Sequence, residues 1–245
     1  MRFTDKVACV TGAAVGIGRA TALKFAQEGA KVIIMDINAE SLAKAEAELK
    51  EITSDVLSYV VDVSNEALVN QSFEDAIAKF GKVDILINNA ALWRQQKAFV
   101  DLTTEDWKTY FDINVMGTVY CTKAVLTGML EREYGRIINI SSVAGVYGNA
   151  RMSHYSASKG AINSLTKALA KEVTDKGVLV NAVCPGSVSP AENDDVHYTK
   201  PSELAFMGRT GSDAENANLI CFLASDEASY IAGQNIQIDG CRKKQ

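Results

Sequence analysis

The feature that most constrains this chain is a set of short apolar runs that do not alternate with polar residues. VACV (7–10), KVIIM (31–35), VLSYVV (56–61), VDILIN (83–88), RIINI (136–140), VLVNAVC (178–184) and NIQID (235–239) recur along 245 residues, and several are apolar at nearly every position. A strand of that kind must be covered on both faces, whereas a half-exposed strand alternates. The covering material lies between the runs. GRATALKFAQEG (18–29) and NAESLAKAEAELKEI (38–52) read as helices, as do stretches around 65–80, 112–131, 153–175 and 213–224. Strand and helix alternating in this way predict a doubly wound parallel α/β sheet of about seven strands, joined by right-handed crossovers, with helices on both faces. One domain over 1–245 accounts for every run, because together they complete a single sheet.

Three prolines, Pro185, Pro190 and Pro201, fall in one region with the acidic run Glu192, Asn193, Asp194 and Asp195. Residues 186–212 therefore read as a long loop, either a mobile lid over a site or a solvated surface excursion. Lys and Arg number 25 against 30 Asp and Glu, a formal net charge of −5. That balance argues against nucleic acid or an anionic membrane as partner. The one basic cluster, Arg242, Lys243 and Lys244, reads as a solvated tail. Five cysteines without metal-site spacing read as reduced core residues, and two histidines make a histidine-based metal site improbable. No apolar run is long enough to span a bilayer. Strand-like KVACVTG begins almost at once, which leaves no room for a signal peptide, so the expected location is the cytoplasm.

TGAAVGIG (11–18) follows the first strand and opens the first helix. Gly12 allows a tight turn, and Gly16 and Gly18 let backbone and helix approach a ligand closely. The helix start, with its free amides and dipole, favours a pyrophosphate. Tight turns need glycine in any case, so it is the strand before and the helix after that give the trio weight. Asp36 ends the second strand, where a carboxylate can accept hydrogen bonds from the adenosine ribose hydroxyls and repel a 2′-phosphate. It could also cap the helix that starts near Ala39. No basic residue stands beside it, since Val15 precedes Gly16 and Ile37 and Asn38 follow Asp36. The charge argument therefore favours NAD(H) over NADP(H).

Tyr155 and Lys159 are four apart in YSASK, so on a helix they share a face. A free tyrosine titrates at about 10, too high for an efficient base near neutrality. A nearby ammonium, and a positively charged nicotinamide, are expected to lower that value. Tyr155 would then take the proton of an alcohol as hydride leaves, or give one to a carbonyl oxygen. Ser142, just past RIINI, has a hydroxyl that can stabilise charge on that oxygen. Taken singly, each has a plainer reading: a serine capping a turn, or an aromatic and a charge on one helix face.

The ordered set TGxxxGIG, NNAA (88–91), Asn114, ISS (140–142), YxxxK (155–159) and PGSV (185–188) resembles the short-chain dehydrogenase/reductase family over essentially the whole chain. The resemblance implies a Rossmann-like fold and an NAD-dependent alcohol dehydrogenase or ketone reductase with Ser142, Tyr155 and Lys159 as catalytic residues. It also implies that Lys159 bonds the nicotinamide ribose and that Asn114 holds a relay water. Cofactor contacts would come from Gly12, Val15, Gly16, Ile17, Gly18, Asp36, Asp62, Val63, Asn89, Ala90, Ala91, Tyr155, Lys159, Pro185, Gly186 and Val188. Some positions depart from the family pattern. Ala91 puts a methyl where glycine is commoner, Ser189 stands for threonine, Cys241 replaces the second glycine of DGG, and the segment after Pro190 is short.

Trp93 and Arg94, past NNAA, and Asn149 to Met152, ahead of Tyr155, should border the substrate pocket. Trp93 favours an apolar or ring-shaped face. Arg94 either pairs with an anionic group or faces solvent, and His154 reads as structural. The substrate class comes out as a small-molecule secondary alcohol or its ketone: a sugar or polyol, a cyclic alcohol or a steroid. A 3-oxoacyl thioester is the alternative, set second because biosynthetic reductases of that kind usually draw on NADPH. A nucleotide-binding protein without catalysis is the rival from another class, against which the complete Ser–Tyr–Lys set stands. The resemblance also implies a homotetramer built through the helices around 112–131 and 153–175.

Overall fold

The computed structural model describes residues 1–189 and 195–243. Pro190, Glu192, Asn193, Asp194 and Lys244 lie outside the described residues. Seven strands form one parallel sheet: β1 (Val7–Thr11), β2 (Lys31–Asp36), β3 (Val56–Val60), β4 (Ile85–Asn88), β5 (Gly135–Ile140), β6 (Val178–Pro185) and β7 (Asn235–Ile238). Their order across the sheet is β3-β2-β1-β4-β5-β6-β7. The chain leaves β1 in one direction and, after β3, returns to β1's other side. That reversal between β1 and β4 opens a crevice at the carboxyl ends of the strands, where ligands of such sheets bind.

The helices are α1 (Gly16–Gln27), α2 (Ala39–Lys50), α3 (Glu66–Phe80), α4 (Thr104–Phe111), α5 (Gly117–Glu131), α6 (Ala144–Tyr147), α7 (Ser153–Val173) and α8 (Asp213–Ala224). The apolar runs feed both faces by the pleat, since successive side chains point to opposite sides. Ala8, Val10, Val32, Ile34, Ile85 and Ile87 pack with Phe25, Leu42, Leu49, Ile220 and Leu223 on the α1, α2 and α8 side. Val7, Cys9, Ile33, Met35, Leu86 and Ile137 pack with Val69, Phe73, Val125, Met129 and Val173 on the α3, α5 and α7 side. Continuous apolar strands and two helical layers are thus one fact.

The helix expected around 112–131 begins earlier. Thr103 and Asp106 form a reciprocal capping box that starts α4, and a π-helical turn at Asp112–Met116 carries it into α5. The extra residue of that turn swings Asn114 out of register and into the protein, where it is buried. Such turns recur at functional positions. The described parts of 186–212 are tied down: Val188 bridges Gly211 and Pro201 bridges Arg209, while Ser189 and Thr210 share a hydroxyl hydrogen bond of 2.6 Å. Cys241, in the place of a family glycine, keeps φ +60°, so the backbone retains the glycine conformation under a side chain that disfavours it.

Candidate active site

The turn between β1 and α1 is built by its glycines in two different ways. Gly12 holds φ +61° and Gly16 φ +60°, a region that glycine alone enters freely. A Cβ on Gly12 would stand 2.8 Å from the Ala90 Cα, and one on Gly18 would run into the Gly12 carbonyl oxygen. These two let the turn pack against β4's end and against itself. At Gly16 a Cβ would meet, among the described residues, only Asp213 Oδ1 at 3.7 Å, so this face is open. Val15 stands at the cap position of α1 and supplies no side-chain hydrogen bond. The first amides of α1 are therefore left for a ligand, and an open cradle on an uncapped helix start fits a pyrophosphate.

Thr11 and Asn89 brace the cradle. Thr11 Oγ1 accepts from Asn89 N at 3.0 Å and from Ala90 N at 3.1 Å, and Asn89 Nδ2 donates to the Thr11 and Gly12 carbonyls at 3.0 and 2.9 Å. Asp36 is aimed in the same manner: Oδ2 accepts from Ala14 N at 3.0 Å and Oδ1 from Asn38 N at 2.9 Å. It does not cap α2. Asn38 does, accepting from Ser41 N. Two carboxylate oxygens each held by one amide still have acceptor capacity for a pair of ribose hydroxyls. Asp62 Oδ1 takes both the amide and the hydroxyl of Ser64. Val63 is buried against Gly117, where a Cβ would come within 2.7 Å of it. Ile17 packs on the core. At the far side Pro185 O accepts from Val143 N at 3.0 Å, and a Cβ on Gly186 would press on Asp239 at 2.7 Å.

The predicted catalytic residues converge where β5 ends against α7. Lys159 is buried, and its Nζ donates to the Ile140 carbonyl at 2.7 Å. Ser141 Oγ donates to the Lys159 carbonyl at 3.0 Å, which fastens α7 to the strand end. Ser142 Oγ accepts from Ala144 N at 3.1 Å. Asn114 accepts from Leu92 N at 2.7 Å and donates to Ser158 Oγ at 3.0 Å. Ser158 in turn donates to the Tyr155 carbonyl at 2.7 Å. One chain of hydrogen bonds thus links Leu92, Asn114, Ser158 and the backbone of Tyr155.

One expectation is reversed. Lys159 Nζ lies 5.9 Å from the centre of the Tyr155 ring, yet the Tyr155 phenol is raised above its usual value, not lowered. Burial is the main cause, the Ser142 hydroxyl opposes it, and Tyr110 and Cys184 add to the rise. Lys159 is pushed down to about 8 by burial. Spacing on a helix established that the pair is close, but closeness to apolar surroundings outweighs it.

Trp93 and Arg94 are exposed, with the guanidinium 5.4 Å from the ring centre. Asn149 Oδ1 accepts from Arg242 at 3.1 Å and its backbone N donates to Ser156 Oγ at 3.0 Å, while its Nδ2 makes no hydrogen bond among the described residues. Among the described residues, Trp93, Arg94 and Asn149 make no hydrogen bond to Ser142, Tyr155 or Lys159. His154, wholly buried, packs on Tyr110 with ring centres 3.9 Å apart, and its Nε2 meets Gln95 Oε1 at 3.1 Å. Burial lowers its pKa, which agrees with a structural role. Sequence reasoning missed Thr11, Ser158 and Asp213. The first stands inside the glycine motif and the second inside YSASK, so both were legible in principle. Asp213 carries no sequence signal beyond its place at a helix start.

Residues 6–200 match the family model described as short chain dehydrogenase. The chain is 40% identical over 244 residues to the 3-oxoacyl-[acyl-carrier-protein] reductase FabG of Thermotoga maritima, covering 98% of each. It is 36% identical over 245 residues to the (2S)-[(R)-hydroxy(phenyl)methyl]succinyl-CoA dehydrogenase subunit BbsD of Thauera aromatica, covering 99% of this chain and 98% of the other. A crystal structure of NAD+-bound xylitol dehydrogenase superposes with a TM-score of 0.90 at 34% identity, covering 98% of this chain and 100% of that one. Fold, site and relatives agree: this chain belongs to the short-chain dehydrogenase family of oxidoreductases.

Proposed function

We propose that the protein is an NAD(H)-dependent oxidoreductase that interconverts the 3-oxo and 3-hydroxy forms of an acyl thioester. The observation that carries the cofactor half is Asp36, whose carboxylate is fixed by Ala14 N and Asn38 N where a 2′-phosphate would have to sit. The substrate half rests on the relatives. Two of those reported are named for thioesters, one carried by acyl-carrier protein and one by CoA. They support the thioester, which the sequence alone ranked second, over a simple alcohol. The NAD+-bound xylitol dehydrogenase supports a polyol or sugar as the second reading.

Gly12, Gly16, Gly18 and Asp36 would hold NADH, which when bound would supply the hydride for the carbonyl carbon. The rest is done by side chains. Ser142 donates a hydrogen bond to the carbonyl oxygen, where negative charge grows. Tyr155, held neutral by burial, donates its phenolic proton to that oxygen. Lys159, 5.9 Å from the ring, steadies the phenolate left behind. Asn114, through Ser158, positions the backbone of Tyr155. Oxidation runs the same steps backwards. Assembly as a homotetramer through α5 and α7 belongs to this reading, and a monomeric mass in solution would count against it.

The test is reduction of a short 3-oxoacyl-CoA, followed by absorbance of the reduced nicotinamide. Wild type should turn it over with NADH at a kcat/KM at least about tenfold above that with NADPH, and Tyr155→Phe should lose about a thousandfold. Equal use of both cofactors would refute the Asp36 argument. Oxidation of xylitol with no thioester reduction would hand the substrate to the second reading.

A further inference from the structure

The first turn of α8 leaves two buried oxygens without a hydrogen-bond partner among the described residues, beside the cofactor cradle. Asp213 is 3% exposed, and its Oδ2 has no hydrogen bond. One turn further on, Asn216 is 1% exposed, and its Oδ1 has none either. Asp213 Oδ1 is the atom that faces the open side of Gly16. The carboxyl therefore looks onto the same uncapped helix start that fits a pyrophosphate. Ser212, not Asp213, caps α8, accepting from Glu215 N at 3.2 Å. The Asp213 carboxyl is therefore not used as the cap of α8.

The two demands conflict. The start of α1 attracts an anion, and an ionised Asp213 repels it. We propose that Asp213 is a proton-linked gate of the dinucleotide site: the cofactor binds to the form in which Asp213 carries a proton. This rests on the reading of Gly12–Gly18 as the pyrophosphate cradle. Burial already holds the Asp213 carboxyl up at about 6, with Arg19 opposing. Among the described residues, Arg19 acts on both Asp213 and Glu48, and the other charged groups nearby are paired or exposed. Arg19 on α1 pairs with Glu48 at 2.6 Å. Glu215 on α8 pairs with Arg209 at 2.7 Å. Asp36 on β2 is held by two amides. Asp195 and His197, exposed, flank Val196, whose carbonyl accepts from Ala214 N.

An anion beside Asp213 raises its pKa further, so binding takes up a proton. Affinity is then highest below the free-protein value and falls as pH rises between the free and bound values. The experiment is NADH binding by fluorescence, with calorimetry in buffers of different ionisation enthalpy, on the full chain. For wild type, Kd should rise about tenfold from about pH 5.5 to about pH 8, with net proton uptake near the midpoint. Asp213→Asn should bind tightly with a Kd that stays within about twofold over that range, and His197→Gln should keep the wild-type slope. An unchanged slope in Asp213→Asn overturns the proposal. So does NADH binding to wild type without proton uptake, a measurement that needs no variant. If wild type binds no NADH at any pH, the cofactor reading itself falls and takes this one with it.

Discussion

Replacing Lys159 with methionine should stabilise the folded protein at neutral pH, although it removes a residue of the proposed catalytic set. The Lys159 ammonium is buried, and burial brings its pKa from 10.5 to about 8. At about 1.4 kcal/mol per pH unit, that drop means the charged form costs the folded state about 3 kcal/mol. Methionine keeps the length of the stem and removes the charge. What is lost is the bond from Nζ to the Ile140 carbonyl, about 1.5–3 kcal/mol for a charged donor. The net at neutral pH is a gain of up to about 2 kcal/mol. The pH dependence is more decisive than the net. Below about 8 Lys159 is charged folded and unfolded, and the cost is fully present. Above 10.5 it is neutral in both states and the cost is gone. Between those values the unfolded chain holds the proton that the folded one has lost, so wild-type stability rises with pH relative to the variant. Urea unfolding followed by circular dichroism at about pH 7, 9 and 10.5 should show wild type gaining about 3 kcal/mol on Lys159→Met. Parallel stability curves would refute the reasoning, because they would mean that Lys159 is not desolvated in the fold.

Gly12→Ala should lower Tm by at least about 4 °C and abolish NADH quenching, since it adds left-handed strain of about 1–2 kcal/mol to a clash. The clash is with the Ala90 Cα, 2.8 Å from the new Cβ, and an unchanged Tm would show that the turn can shift. Ultraviolet difference titration of cofactor-free wild type against Tyr155→Phe should reveal no additional tyrosinate below pH 10.0, because Tyr155 is raised above that value. A tyrosinate near neutrality would mean that Lys159 governs the phenol after all.

How much of this was legible beforehand depends on range. The strands were legible because burial on both faces favours apolar side chains at successive positions: Val32, Ile33, Ile34 and Met35 are all 0% exposed, while the few buried polar strand residues, such as Asn181, are hydrogen-bonded. The start of α4 was not. Its signal, Thr103 with Asp106, is only a capping box in a polar stretch, and the π-helical turn that joins α4 to α5 has no local sequence mark. The candidate residues Ser142, Tyr155 and Lys159 were read from motifs that keep their order, and the fold brings them together where β5 ends against α7. The hydrogen bonds among them were not legible, since the partner of Lys159 is a carbonyl on another element. Backbone acceptors carry no residue identity to be read.

The sign of the Tyr155 shift shows where such reading stops. Spacing of four on a helix is a local fact, and it places an ammonium near the phenol. Whether that ammonium governs the phenol depends on how much water both retain. That is set by burial in the fold as a whole, and charge repulsion from Tyr110, 6.4 Å away on α4, and from Cys184 on β6 adds to the rise. Burial acts on both partners in the same sense, against charge, so it raises the tyrosine and lowers the lysine together. The resting site is therefore a neutral phenol over an ammonium readily stripped of its proton. A neutral phenol is the form that a carbonyl oxygen needs as its proton donor. On the proposed mechanism, burial therefore works with the reductive direction, and a base for oxidation would have to come from the charge that arrives with the cofactor.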